Sequence, residues 1–306
     1  MAEIGVNVGP DGIVDPNDLA EAGVRWIRIV ATEEKDLRDY IKACQDKQVR
    51  VLLAIARESL PTLNEEQTNL GEAARHAAHL YRERYGNHFD ALQVCNEPDG
   101  NPPSSWVLSS DQVNEVLRPF REIFDDAHIV GPGMCSGDPN RLNGVDLSLV
   151  DAISVHPYGQ GVPAADGQPA FSSPFGFGGD VAQLLNRYAT QFNKPVWISE
   201  WGINDNDLAQ AGVSRSGEER AAEYVGRMIG FLHAGGIVQV ALYFCWGDNM
   251  VPQFGLFRAD GSRKPAYEAF KTAAQQGLRS GAPPRARTTA QEEPAASPRR
   301  RARRAR

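Results

Sequence analysis

Two glutamates occupy the same kind of position in the sequence, each at the end of a short apolar run. Glu97 follows the segment LQVCN (92–96), and Glu200 lies within VWISEWG (196–202). Apolar runs of this length, rich in β-branched residues, predict buried strands. Two carboxyl groups can act together as a general acid and a nucleophile, provided that their surroundings separate their pKa values. The pair is useful only in a fold that brings both side chains together.

Other side chains capable of chemistry or of binding a sugar also stand at predicted strand ends. A polar residue at the carboxyl end of a barrel strand is a candidate for function, because that edge of the barrel carries the active site. The candidates are Asn96, His156, Tyr158, Trp201 and Trp246.

The elements that must position these residues alternate along the chain between short apolar runs and longer helical patterns. Asp15 is a predicted N-cap for a helix that begins at Pro16, and a charged periodic segment covers 34–47. A helix containing Pro119 precedes the fifth strand, and no clear helix follows that strand. The predicted strands are EIGVNVG near residue 4, 24–31, 49–56, 91–97, 128–133, 150–159, 195–202 and 238–247. Eight such units predict a single (β/α)8 barrel over residues 1–277.

In such a barrel the fourth and seventh strands lie on opposite sides of the ring, so Glu97 and Glu200 can converge above its centre. Cleavage of a glycosidic bond requires this arrangement. The departing oxygen needs a proton, and the oxocarbenium-like centre left behind needs a carboxylate. A separation of about 5 to 5.5 Å between the two carboxyl groups corresponds to retention of configuration, and a larger one to inversion.

The motifs together resemble those of the clan A retaining glycoside hydrolases, which include cellulase-like, mannanase-like and β-xylosidase-like families. The resemblance covers residues 4–275 and consists of NEP after the fourth strand, HPY after the sixth, SEWG after the seventh and an aromatic-rich eighth strand. It implies that Glu97 is the acid/base and Glu200 the nucleophile. It further implies sugar or nucleophile contacts for Asn96, His156, Tyr158, Trp246 and Arg28.

Aromatic residues near the predicted site could bind further sugar units. Trp201 follows the second glutamate, and Trp106 lies in the loop after the fourth strand. The long loop 159–179 carries Phe171, Phe175 and Phe177. Each of these residues could instead serve local packing.

Two other function classes remain open at this point. A barrel that binds carbohydrate or serves as a structural component could keep the fold without turnover. Metal-dependent hydrolysis is a weaker alternative, because no H-x-H or similar ligand cluster accompanies His156, and we expect neither metal nor cofactor. The four cysteines are widely spaced, which favours buried free thiols over disulfides.

Charge divides the chain into two parts. Residues 279–306 hold nine arginines against two glutamates, a net charge of +7. Because the whole chain has a net charge of −7, residues 1–278 carry −14. An acidic body disfavours nucleic acid as a partner of the folded part. The Arg/Pro/Ala-rich segment 278–306 is a predicted disordered tail. No run is long enough to span a membrane and no basic-then-apolar leader opens the sequence, so we expect a soluble monomer, either cytoplasmic or secreted with its leader removed.

Overall fold

The computed structural model describes residues 1–9, 14–60, 69–100, 107–164, 170–172, 180–208 and 216–280. Its centre is a closed barrel of eight parallel strands that pair in chain order, with the last strand pairing with the first. The strands are β1 (Glu3–Asn7), β2 (Trp26–Val30), β3 (Arg50–Ile55), β4 (Ala91–Val94), β5 (Ile129–Met134), β6 (Ala152–Val155), β7 (Val196–Trp201) and β8 (Val238–Tyr243). The predicted fold is confirmed.

The helices that the structure describes follow these strands. They are α1 (Pro16–Glu21), α2 (Arg38–Asp46), α3 (Leu70–Tyr85), α4 (Ser110–Ile123), α5 (Val181–Phe192), α6 (Asp205–Leu208), α7 (Gly217–Gly235) and α8 (Pro265–Ser280). Only 3-10 turns (Pro139–Leu142 and Leu147–Leu149) stand between β5 and β6, which confirms the missing helix.

Three helix boundaries can be compared with the sequence pattern. Asp15 accepts the Asn17 N–H and caps α1 as expected. The helix predicted from residue 34 begins only at Arg38, where Asp36 pairs with the Arg38 side chain ahead of the first turn. α8 continues to Ser280, beyond the predicted domain end at 277. The tail from 281 onward lies outside the described residues, so its disorder stays a prediction.

The barrel interior has an apolar layer towards the amino ends of the strands. Trp26 and Trp197 pack edge to face there, 5.0 Å apart. The members of this layer are Trp26, Leu52, Ala91, Val130, Ala152, Trp197, Val240 and Leu242. Because side chains alternate along a strand, the next inward positions lie two residues further on, nearer the carboxyl ends.

Those next positions are polar on four of the strands. Arg28, Gln93, Ser154 and Ser199 each follow a member of the apolar layer by two residues, and all four are buried. Buried polar groups need hydrogen-bond partners, so this layer forms a connected network rather than a packed apolar plug. The fold therefore places polar chemistry at one end of the barrel.

The outer face of the strands packs against the helices in a second, larger apolar core. Cys44, Cys95 and Cys245 are buried free thiols and Cys135 is half-buried, which confirms the absence of disulfides among them. Burial raises the pKa of the Cys44 thiol to about 11. In the part of the chain that the structure describes, no helix combines the length and apolarity needed to cross a membrane.

Candidate active site

Glu200 lies at the carboxyl end of β7, where the pairing with β8 shifts register between Ile198 and Trp201. Its side chain enters the barrel mouth and is only 8% exposed. The Arg28 Nη1 atom lies 2.9 Å from Oε1, and the Tyr158 hydroxyl donates to Oε2 at 2.5 Å. Both carboxylate oxygens therefore have a partner that favours the ionised form.

The electrostatics keep this carboxyl group ionised. Burial opposes ionisation, but the attraction of the His156 ring when that ring is protonated, the Arg28 guanidinium and the Tyr158 hydrogen bond together outweigh it and lower the pKa of Glu200. Burial and the neighbouring Glu200 charge raise the pKa of Tyr158 well above its usual value. Tyr158 is therefore a permanent hydrogen-bond donor to a carboxylate.

Arg28 is held by the polar layer of the barrel. Its Nε donates to the Gln93 side chain at 2.5 Å, its Nη1 to Asn7 Oδ1 at 2.8 Å and its Nη2 to Asn96 Oδ1 at 2.7 Å. Asn7 in turn donates to the Ser199 carbonyl at 3.0 Å, beside Glu200. The guanidinium thus has a fixed position, and each of its three nitrogens has a partner, as a charge 3% exposed requires.

Glu97 approaches from the end of β4 on an unusual backbone. Its φ is +47°, which non-glycine residues seldom adopt, and its N–H donates to the Gly133 carbonyl at 2.9 Å. The side chain is 26% exposed, and Oε1 lies 2.8 Å from His156 Nδ1. Glu97 is therefore the more accessible of the two carboxyl groups.

His156 stands between the two glutamates. Its Nδ1 lies 2.8 Å from Glu97 and 3.9 Å from Glu200 Oε2, while its Nε2 lies 2.8 Å from Ser199 Oγ. Gly133 leaves the room for this ring, since a Cβ there would come within 2.8 Å of His156 Nε2 and 2.4 Å of Gln93 Nε2.

The two carboxyl groups meet over the barrel centre. One carboxylate oxygen of each glutamate and one ring nitrogen of His156 all lie within 4.8 Å of one another. Retaining glycosidases hold their carboxyl groups about 5 to 5.5 Å apart, and inverting enzymes about 6.5 to 9.5 Å. The observed proximity fits the shorter class.

The same three side chains form a set of potential metal ligands, which the sequence spacing did not reveal because three different strands supply them. The set is a poor cation site. The Arg28 charge already lies 2.9 Å from Glu200, and a divalent cation beside it would be repelled. The Glu97 and His156 atoms that would bind the ion also face each other at 2.8 Å.

The predicted aromatic residues have different environments. Trp201 is fully buried between Tyr243, at 5.0 Å, and Tyr224 of α7, at 6.1 Å. Its assignment as a substrate-binding residue is wrong, because the β7 register shift turns its side chain outward into the core. Trp106 lies outside the described residues, as do Phe175 and Phe177, so their roles stay predictions.

Trp246 is half-buried and stacks on Phe257 with a centroid separation of 4.9 Å. It lines a cavity of about 360 Å³ together with Asp15, Asp18 and Asn249. Two other aromatic rings lie next to Tyr158: the ring of Phe244, with centroids 5.8 Å apart, and the ring of Phe254, with centroids 5.9 Å apart.

Several site residues had no place in the predictions from sequence. Asn7, Gln93, Ser154, Ser199 and Gly133 hold or make room for the residues named above. The first four carry one available signal: each is a polar residue at an inward position of an otherwise apolar strand. Gly133 and Phe244 carry no comparable signal.

Comparisons with known proteins identify the family of the chain. Residues 53–270 match the family described as "Glycosyl hydrolase catalytic core". No curated protein matches the chain. Among solved structures, a monomeric β-xylosidase from Caulobacter crescentus is 19% identical with a TM-score of 0.61, and the match covers 88% of this chain and 67% of that one.

Two further structures are similar over most of this chain. A GH128 endo-β-1,3-glucanase from Amycolatopsis mediterranei, in complex with laminarihexaose, is 14% identical with a TM-score of 0.60, covering 89% of this chain and 99% of that one. A GH5_18 protein from Bifidobacterium longum subsp. infantis is 17% identical with a TM-score of 0.64, covering 90% and 79%. These structural similarities are in the fold, and the family match confirms the predicted resemblance to glycoside hydrolases. The chain is a glycosidase and belongs to the glycosyl hydrolase catalytic-core family.

Proposed function

We propose that the protein is a retaining β-glycosidase that acts on an oligo- or polysaccharide through Glu97 and Glu200. The observation that carries this proposal is the approach of the two carboxyl groups within 4.8 Å, combined with their different surroundings. Glu200 is buried against Arg28 and ionised, whereas Glu97 is partly exposed beside a histidine. Such a difference separates the acid from the nucleophile.

The reaction proceeds in two displacements. Glu200 attacks the anomeric carbon as the bond to the departing oxygen breaks, and Glu97 gives that oxygen its proton. A covalent glycosyl ester on Glu200 results. Glu97, now ionised, takes a proton from water, the water oxygen attacks the same carbon, and the Glu200 carboxylate leaves with overall retention of configuration.

Neighbouring residues support these steps. Tyr158 and Arg28 hold the nucleophile ionised and oriented. The Asn96 side chain, fixed by Arg28 at 2.7 Å, is placed to contact the sugar in the cleavage subsite. We assign Phe244 to the aromatic wall of that subsite, because it contacts Tyr158 and is half-buried.

Two cavities lined by residues close in sequence or in hydrogen bonding to the site favour binding of several sugar units. The Trp246 cavity adjoins β1, since the Trp246 N–H donates to the Asn7 carbonyl at 3.0 Å. We assign it to a second glycone unit, beyond the sugar in the cleavage subsite. A second cavity, of about 470 Å³, is lined by Pro98 and Asp99 next to the acid Glu97, and we assign it to the leaving group. Both volumes fall within the range of about 300 to 1,000 Å³ typical of small-ligand sites.

The test is hydrolysis of aryl β-glucosides, aryl β-xylosides, xylan and β-1,3-glucan by the wild type, Glu97→Ala and Glu200→Ala. We expect the wild type to cleave at least one of these substrates. Azide should restore cleavage in an alanine variant, because the azide ion takes the place of the missing carboxylate. Trp201→Phe is a control in the core outside the site. Unchanged cleavage by Glu200→Ala would refute the assignment, and cleavage of none would favour a binding-only barrel.

A further inference from the structure

A row of buried hydrogen bonds leads away from Glu97 into the barrel. Ser154 Oγ lies 2.5 Å from Ser199 Oγ, which lies 2.8 Å from His156 Nε2, and His156 Nδ1 lies 2.8 Å from Glu97 Oε1. Both serines are fully buried and His156 is 3% exposed. The mechanism above gives the two serines no role.

With a neutral His156 ring, the row can run in two directions. In the first, Ser154 donates to Ser199, Ser199 donates to His156 Nε2, and the Nδ1–H of His156 donates to Glu97. In the second, every hydrogen is reversed, so that Nε2–H donates to Ser199 and a protonated Glu97 donates to Nδ1. The direction decides which tautomer His156 adopts.

The donors and acceptors decide between the two directions. The Ser154 oxygen already accepts the Ser199 backbone N–H at 3.2 Å. Among the described residues, Ser154 has hydrogen-bond partners only in Ser199, so in the second direction its hydroxyl hydrogen would be buried without an acceptor. Leaving a buried donor unsatisfied is costly. In the first direction every group in the row is satisfied.

We propose that Ser199 is a positioning residue that keeps His156 in the Nδ1–H tautomer, so that the ring always donates to Glu97 Oε1. This inference rests on the proposed function. Because Oε1 then accepts a hydrogen bond in both protonation states, the catalytic proton of Glu97 resides on Oε2. Ser199 thus selects the oxygen atom that delivers the proton to the departing group.

The first test reads the tautomer and needs no substrate. Protein labelled with ¹⁵N in its histidines is observed by NMR at neutral pH, and the His156 signals are assigned by their loss in His156→Asn. We expect the wild type to have hydrogen on Nδ1 and none on Nε2. Hydrogen on Nε2, whether alone or with Nδ1, would overturn the proposal even if every serine variant failed to fold.

The second test separates proton delivery from general damage. The variant is Ser199→Ala, with Ser199→Thr as the matched control that keeps the hydroxyl. One substrate is a 4-methoxyphenyl β-glycoside, whose leaving group needs a proton from the acid. The other is a 2,4-dinitrophenyl β-glycoside of the same sugar, whose leaving group departs without a proton.

We expect Ser199→Ala to lose at least about tenfold in kcat/KM on the methoxyphenyl substrate and little on the dinitrophenyl one, with Thr restoring activity. Equal losses on both substrates, or no loss, would overturn the role of Ser199 and leave the glycosidase assignment intact. Failure of the wild type on every substrate would instead refute the proposed function, while the tautomer measurement would still stand.

Discussion

Tyr158→Phe isolates one interaction at the proposed nucleophile. The change deletes the hydroxyl that donates to Glu200 Oε2 at 2.5 Å and keeps the ring, which packs against Phe244 and Phe254. No large cavity is created, so the effect should come from the lost hydrogen bond. Glu200 keeps Arg28 as its remaining partner on the other oxygen.

The size of the effect follows from the charge of the acceptor. A hydrogen bond to a charged group contributes about 1.5 to 3 kcal/mol net, against about 0.5 to 1.5 kcal/mol for a neutral pair. We expect Tyr158→Phe to lower the free energy of unfolding at neutral pH by the larger amount. The matched control is Tyr81→Phe, whose hydroxyl donates to the neutral Ser59 carbonyl at 2.8 Å.

The pH dependence has a definite sign. The pKa of Glu200 is lowered in the folded protein, so its stabilisation is present above the unfolded pKa and is lost as the pH falls through the folded pKa. Without the Tyr158 donor the pKa of Glu200 rises. The stability difference between wild type and Tyr158→Phe should therefore shrink at acid pH, while the Tyr81→Phe difference should not.

Urea unfolding across pH measures these differences, and the pH profile of kcat/KM on an aryl β-glycoside measures the site directly. The acid limb should move to higher pH in Tyr158→Phe, because the free enzyme needs an ionised nucleophile. An acid limb at the wild-type pH, together with a pH-independent loss of stability, would show that Tyr158 does not hold Glu200 ionised.

Three other predictions concern the support of the site. Gly133→Ala should lower the free energy of unfolding by about 1 to 3 kcal/mol and remove most activity, because the added Cβ would meet His156 and Gln93. The control Gly226→Ala, whose Cβ would have no other atom within 4 Å, should unfold no earlier than the wild type. Equal melting curves for the two variants would refute this. Trp246→Ala should lower kcat/KM for aryl disaccharide glycosides but not for monosaccharide ones, and equal losses would remove the glycone assignment. Lys264→Met should lower the free energy of unfolding in urea at neutral pH by about 3 to 5 kcal/mol, because the buried Lys264 bridges Asp205 at 2.6 Å and Asp248 at 2.8 Å. The control Lys42→Met, at an exposed ion pair, should change this free energy little.

The sequence predicted the barrel well because strand period and punctuation are local signals. Every predicted strand is present, and the strand-end positions of Glu97, His156 and Glu200 follow from the parallel order. The start of α2 was misplaced because the charged residues 34–36 continue the pattern of the helix but lie before it.

The finer orientation of side chains could not be read from the chain. Trp201 follows Glu200 directly, yet a register shift in β7 sends one side chain into the core and the other into the site. The hydrogen bonds from Ser199 to His156 and from Asn7 to Arg28 join strands far apart in sequence. Only the closed ring brings such partners together.

The proposed mechanism is tested most directly by trapping its covalent intermediate. The protein is incubated with 2,4-dinitrophenyl 2-deoxy-2-fluoro β-glucoside or β-xyloside, and its peptides are analysed by mass spectrometry. We expect stoichiometric release of dinitrophenol and one fluorosugar bound to the peptide that contains Glu200, with no label in Glu200→Ala. A label on Glu97 or elsewhere, or hydrolysis of natural substrates with inverted configuration, would contradict it.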